Sequence, residues 1–316
     1  MCRGSRTNSI TAALIGVALL ASLKVPAPSS ELPAQRFLEA GSWKLAATHA
    51  VGSQFTSSTT VIEVYATVTD KAGKPARGLT QADFEVLEDG TAQRVSNFVA
   101  GDFPLRVALA LDRSFSVAGR PLEAVKRGAR VFLNALRPAD ESVIITIGSE
   151  VTTLADATVS RHQQDAAVQA LDAWGTTKLH DAIIQAIDAT DAARGRRAVV
   201  ILSDGDDRYS EATAGAVLER ARRANVLIYP VALSKTRPAL FAELSSVTGG
   251  RSFHVRDLKT LDATLTTIAS ELREQYLLGY SPARPLTSGT NEWRSIAVRV
   301  KRADLTVRAR DGYYVK

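Results

Sequence analysis

Four apolar runs set the tightest limit on what this chain can fold into: LRVALAL (105–111), SVIITIG (142–148), AVVILS (198–203) and VLIYPVAL (226–233). Each is strand-length and apolar at nearly every position, as a strand must be when helices cover both of its faces. Helical periodicity fills the intervals, at 119–136 (stopped by Pro138), 162–174, 179–193, 211–224, 238–247 and 258–275. A short strand, SFHV (252–255), precedes the last of these. Strands and helices in alternation predict an α/β domain over 104–275 built on a doubly wound, mostly parallel sheet.

The flanks follow a different rule. In VIEVYATVTD (61–70), Ile62, Val64, Ala66 and Val68 alternate with Glu63, Tyr65, Thr67 and Thr69, which is the period of a strand with one buried face. KAGKPARG supplies a turn, and FEVLEDG and AQRVSNFV read as two more strands joined at Asp89-Gly90. After Gln275 the β pattern returns in YLLGYSP, SIAVRVK, DLTVRAR and DGYYV. Neither flank is long enough for a sandwich of its own. Regions 59–103 and 276–316 are therefore expected to pack together as a small β-sandwich of about six strands, with the α/β domain inserted in it.

The first residues read as an export signal. Arg3 and Arg6 precede the apolar run ITAALIGVALLASL (10–23), followed by small residues and prolines. That run is shorter than the roughly 20 residues a membrane span needs. Residues 1–29 are expected to be a signal peptide and 30–58 a linker, with an uncleaved anchor as the alternative. The lone cysteine, Cys2, precedes the apolar run, so it is not a lipid-bearing cysteine, and the mature chain would carry no disulfide. Of the formal charge of +6, three units belong to Arg3, Arg6 and Lys24. The remaining basic residues are scattered, which argues against nucleic acid and against an anionic membrane surface for the mature chain.

The chemistry gathers at strand ends. Asp112, Ser114 and Ser116 follow the first apolar run as D-R-S-F-S, and Asp204 follows the third in VVILSDGDD. Ligands of open α/β sheets bind beyond the carboxyl ends of the strands, where the strand order reverses. In the commonest order these two strands are neighbours there. G-T-T-K-L-H-D-A sets Thr177 at a loop-to-helix junction between them. Carboxylate and hydroxyl oxygens suit a hard divalent cation, Mg²⁺ first, with Mn²⁺ and Ca²⁺ open. Two aspartates and neutral hydroxyls leave a coordination position for a carboxylate from outside.

D-x-S-x-S, the threonine of G-T-T-x-L-x-D-A and S-D-G-D resemble the three parts of the metal-ion-dependent adhesion site of the von Willebrand factor A family. The resemblance spans about Leu105 to Glu274. The flanking G-L-T-x-x-D-F-E-V-x-E-D-G and Y-x-L-G-Y-S-P segments resemble exported bacterial proteins related to that family. The resemblance implies metal coordination by Ser114, Ser116 and Thr177, directly or through water, with Asp112 and Asp204 acting through water. Phe115 and Val117 stand where glycine and methionine are common, and neither departure removes an oxygen ligand.

Taken singly these parts are weak, since a serine after an aspartate is usually a helix cap. Three in order, each at an element end, favour the site. Asp206 and Asp207 read as solvated loop charges, His180 as a residue packing or capping beside the site, and Arg194, Arg196 and Arg197 as a solvated turn. A serine hydrolase would need a G-x-S-x-G elbow and a placed histidine, and a P-loop or dinucleotide fingerprint is absent. The expectation is a periplasmic or extracellular module that is not an enzyme and grips another protein through an acidic side chain. A scaffolding module of an envelope complex is the alternative.

Overall fold

A computed structural model describes residues 60–101, 103–191 and 195–315. The expected signal peptide, the linker and Arg194 lie outside the described residues. The amino-terminal flank forms β1 (Ile62–Asp70), β2 (Phe84–Glu88), β3 (Thr91–Gln93) and β4 (Val95–Ala100). The α/β domain runs through β5 (Leu105–Asp112), α1 (Arg120–Ala135), β6 (Glu141–Ile147), β7 (Thr152–Ala155), α2 (Arg161–Gln169), α3 (Leu179–Asp191) and β8 (Arg196–Ser203). It continues with α4 (Ala214–Arg223), β9 (Leu227–Ala232), α5 (Ala239–Thr248), β10 (Phe253–His254) and α6 (Leu261–Arg273). The carboxyl flank adds β11 (Gln275–Tyr280), β12 (Trp293–Val300), β13 (Leu305–Arg308) and β14 (Gly312–Tyr314).

The central sheet has the order β10-β9-β8-β5-β6-β7, parallel except for β7. Strand β5 pairs with β6 on one side and β8 on the other, so the order reverses beside it and the ends of β5 and β8 open onto one crevice. The residues of β5 explain the layering. Val107, Leu109 and Leu111 join a core with Val125, Phe132 and Leu133 of α1 and Leu265 and Ile268 of α6. Ala108 and Ala110 point the other way, where their small size lets α3 approach with Leu179, Ile183 and Ile187.

The flanks make two four-stranded antiparallel sheets, β13-β1-β11-β4 and β14-β12-β2-β3, each drawing on both ends of the chain. Between them lies one core of Val64, Val68, Phe84, Val86, Leu278 and Ile296. The doubly wound domain thus sits between β4 and β11, which are themselves hydrogen-bonded neighbours with Ala100 opposite Tyr276. One charged network is sealed into this core. Glu88 accepts hydrogen bonds from the hydroxyls of Tyr280 (2.8 Å) and Tyr313 (2.9 Å) and from Arg294 Nη1 (3.1 Å). Arg294 also donates to the carbonyls of Arg284 and Pro285. A second buried carboxylate, Glu271 of α6, binds Arg251 (2.8 Å) and Arg308 of β13 (2.6 Å), fastening the last helix to the sandwich.

Three sequence expectations change. AQRVSNFV is two strands: the chain breaks at Arg94 and crosses between layers, so β3 and β4 belong to different sheets. The stretch after β6 holds an antiparallel edge strand, β7, too short and polar for its period to stand out, and α2 ends at Gln169. Arg196 is no solvated turn residue. It is 1% exposed, opens β8, donates to the Phe103 carbonyl (2.9 Å) and lies 5.7 Å over the Phe103 ring. Burial pulls its guanidinium down to about 10. Arg197, half-buried, is tied to Asp191 and to the Asn225 carbonyl.

Candidate metal centre

Asp112 ends β5 with no solvent exposure. Its Oδ1 accepts the backbone N–H of Ser114 (2.9 Å), an Asx-type turn that folds the next residues back over the carboxylate. Its Oδ2 accepts the Ser203 hydroxyl (2.6 Å) from the end of β8. That turn sets the Ser114 and Ser116 hydroxyl oxygens 3.0 Å apart, with Ser114 buried and Ser116 exposed. Two hydroxyls and a carboxylate therefore converge where β5 stops.

Backbone hydrogen bonds bring in the second loop. Trp174 N–H donates to the Arg113 carbonyl (2.7 Å) and Phe115 N–H to the Gly175 carbonyl (3.0 Å). Gly175 is required at this position: its φ is +80°, and a Cβ would stand 2.4 Å from Ser149 Oγ. Thr177, two residues beyond Gly175 on this loop, is buried. The Thr177 carbonyl in turn accepts Arg208 N–H (2.6 Å) from the third loop. In that loop Asp204 follows β8, half-buried, with its Oδ1 taking the Asp206 N–H (3.1 Å). Gly205 turns the chain at φ +89°, and a Cβ there would meet Pro238 Cγ at 2.1 Å. All five candidate residues thus lie on three loops laced to one another.

Electrostatically the site is short of positive charge. Burial pushes the Asp112 carboxyl above its ordinary range, the hydrogen bonds from Ser114 and Ser203 pull it back, and the nearby Asp204 charge pushes it up again. Among the described residues no Lys or Arg forms an ion pair with Asp112. Nor among them do three His, Cys, Asp or Glu side chains gather so as to hold a metal ion by themselves. A cation held here has to draw on hydroxyls, and the donor set of two carboxylates and three hydroxyls is all hard oxygen, which fits a divalent ion of the Mg²⁺ type.

Several contributors were not singled out in the sequence. Ser203 positions Asp112, and its only signal was its place before Asp204 in S-D-G-D. Asp181, the acid of G-T-T-K-L-H-D-A, accepts the N–H groups of Glu211 (3.1 Å) and Ala212 (2.9 Å) and so anchors the third loop on α3. Asp207 is not a solvated loop charge. It accepts the His180 N–H at the start of α3 (3.0 Å) and the Ser210 hydroxyl (2.5 Å), work that the first turn of a helix leaves open. His180 packs beside it, its Nδ1 3.0 Å from the Ala212 carbonyl, and Asp206 is an exposed loop charge.

A strand-order switch with an acid–hydroxyl cluster at its mouth defines a class of doubly wound domain that can hold a cation at the carboxyl edge of its sheet. Residues 107–268, half of the chain, match the von Willebrand factor type A domain, and the chain belongs to that family. No curated protein sequence matches it. Among solved structures it is similar to an aerotolerance-related membrane protein from Bacteroides fragilis, with 17% identity over 53% of this chain and 98% of that one (TM-score 0.45). It is also similar to a von Willebrand factor type A protein from Catenulispora acidiphila, with 14% identity over 74% and 72% of the two chains (TM-score 0.47). A third is proximal thread matrix protein 1 of the mussel byssus, with a zinc-occupied MIDAS motif, at 14% identity over 58% and 49% (TM-score 0.48).

Proposed function

We propose that this chain is an exported protein-binding module that holds one divalent cation, Mg²⁺ first, through Asp112, Ser114, Ser116, Thr177 and Asp204. Bound there, the cation would offer its open coordination position to a carboxylate of a partner protein. The observation that carries this reading is the Asp112 carboxylate: fully buried, held by Ser114 and Ser203, near the Asp204 charge and, among the described residues, in no ion pair with a Lys or Arg. A buried charge of that kind is costly unless something neutralises it. Ser203 and the Ser114 backbone fix the carboxylate's orientation, the Ser114–Ser116 pair presents neutral oxygens, and Thr177 would add a third from the loop that Gly175 ties to Phe115. A binding role is proposed over a catalytic one: the His180 ring beside the cluster turns its Nδ1 to the Ala212 carbonyl and Asp207, not to a serine hydroxyl. Export is read from Arg3 and Arg6 before the apolar run 10–23.

The test is calorimetric titration of Mg²⁺, Mn²⁺ and Ca²⁺ into EDTA-stripped protein. One saturable site is expected, lost in both Asp112→Ala and Thr177→Ala while their circular dichroism stays native. Binding that persists in both variants, or no binding of any of the three ions, would overturn the assignment.

A further inference from the structure

Among the described residues, five large hydrophobic side chains stand exposed, and three of them ride on the loops of the candidate metal centre. Phe115 is 66% exposed, Trp174 44% and Tyr209 77%. Each comes from a different loop. Phe115 sits between the two clustered serines. Trp174 immediately precedes Gly175, whose carbonyl binds the Phe115 N–H. Tyr209 follows Arg208, whose N–H binds the Thr177 carbonyl. The same backbone bonds that assemble the oxygen cluster therefore join the three loops that carry these rings. Tyr209 is held at φ +70°, a conformation that side chains other than glycine seldom adopt. At these exposures the three rings together present on the order of 300 Å² of apolar surface to solvent.

Charge on the same loops is also unspent. Arg113, whose guanidinium lies 5.8 Å over the Trp174 ring, and exposed Arg208 form no ion pair among the described residues. We infer that Phe115, Trp174 and Tyr209 form an aromatic collar that selects a linear segment of a partner protein, one carrying an acidic residue flanked by large apolar side chains. This rests on the metal-dependent reading and deepens it. The central carboxylate goes to the cation, the flanking apolar groups fill the collar, and Arg113 and Arg208 favour further negative charge. Aromatic and arginine side chains around a desolvated polar centre are where interface energy concentrates. The loops are cross-bonded before any partner arrives, so little ordering cost accompanies binding.

The experiment is selection of a displayed library of random linear decapeptides on immobilised full chain in Mg²⁺. It is run in parallel on the triple variant Phe115→Ser/Trp174→Ser/Tyr209→Ser and on Asp112→Ala. The native chain should enrich peptides with Asp or Glu beside at least one large apolar residue. One synthesised winner should bind the triple variant at least about tenfold more weakly, the scale of a truncated interface anchor. Magnesium titration of the triple variant should be unchanged, which separates the collar from the cation site. Enrichment of acids with no apolar neighbour, equal binding by the triple variant, or no enrichment at all overturns the collar. Peptide capture that needs the rings but ignores EDTA keeps the collar and removes the metal-dependent reading beneath it. A concentration-dependent dimer abolished by the triple variant would make the occupant a second copy and overturn the linear-segment assignment.

Discussion

Replacing Asp112 by Asn should reverse the order of stability between two solutions. Asn has the shape of Asp. Its Oδ1 can still accept the Ser114 N–H, and its Nδ2 can donate to Ser203 Oγ, which now serves as acceptor. What disappears is one negative charge with no solvent exposure and, among the described residues, no ion-pair partner. In EDTA the variant should therefore be as stable as the native chain or more so, since a neutral group of the same shape avoids the desolvation penalty. In Mg²⁺ at a hundred times its dissociation constant, the native chain alone should gain about 2.7 kcal/mol by mass action. For a unit of this size that corresponds to roughly 5–11 °C in Tm, at about 2–4 °C per kcal/mol. The assay is thermal unfolding of both proteins in EDTA and in Mg²⁺, with the two melting curves expected to cross. A variant more than about 1 kcal/mol less stable than native in EDTA would refute the reasoning, because the protein would then be neutralising the carboxylate without a cation.

Three further outcomes follow from the packing. Glu88→Ala removes the buried ion-pair partner of Arg294, leaving it Glu292 and two carbonyls, and should cost about 3–5 kcal/mol in urea unfolding, with Glu88→Ala/Arg294→Met recovering part of the loss. A single-variant cost below about 1 kcal/mol would remove the network from the account of stability. Arg196 has buried Nε and Nη1 atoms without partners, so Arg196→Met should change stability by less than about 1.5 kcal/mol. Arg196→Ala should cost more than that by leaving a cavity; equal losses in chemical denaturation would contradict this. Gly205→Ala forces a Cβ toward Pro238 at φ +89° and displaces Asp204. Calorimetry should show weakened Mg²⁺ binding in a chain whose circular dichroism is native, and unchanged affinity would free Asp204 from the site.

What the sequence disclosed, it disclosed through period and position. The buried strands stood out because covering both faces forces apolar residues at every position, and the acids stood out because they interrupt those runs at their carboxyl ends. The one-faced alternation of β1 was equally plain. The crossing at Arg94 was not, because a strand that changes sheets keeps its pattern. The burial of Arg196 was hidden by charge: its partners are an aromatic face and a carbonyl contributed by Phe103, far away in sequence. Ser203, Asp181 and Asp207 were hidden for a related reason. Each acts on backbone N–H groups or a carboxylate of another loop, and no local spacing encodes such bonds. The collar was hidden as a set, since no local spacing joins Phe115, Trp174 and Tyr209.

Strands β4 and β11 lie side by side, yet the whole α/β domain separates them along the chain. In an unfolded chain, bringing Ala100 to Tyr276 would mean closing a loop the length of that domain, against an entropy that grows with loop length. Once the doubly wound sheet has formed, its own ends stand within one strand spacing and that cost is already met. Loop-closure entropy therefore favours forming the inserted domain first and the sandwich around its ends afterwards. A chain whose inserted domain fails to fold meets the full closure cost when β4 is brought to β11, so the sandwich depends on the domain it encloses.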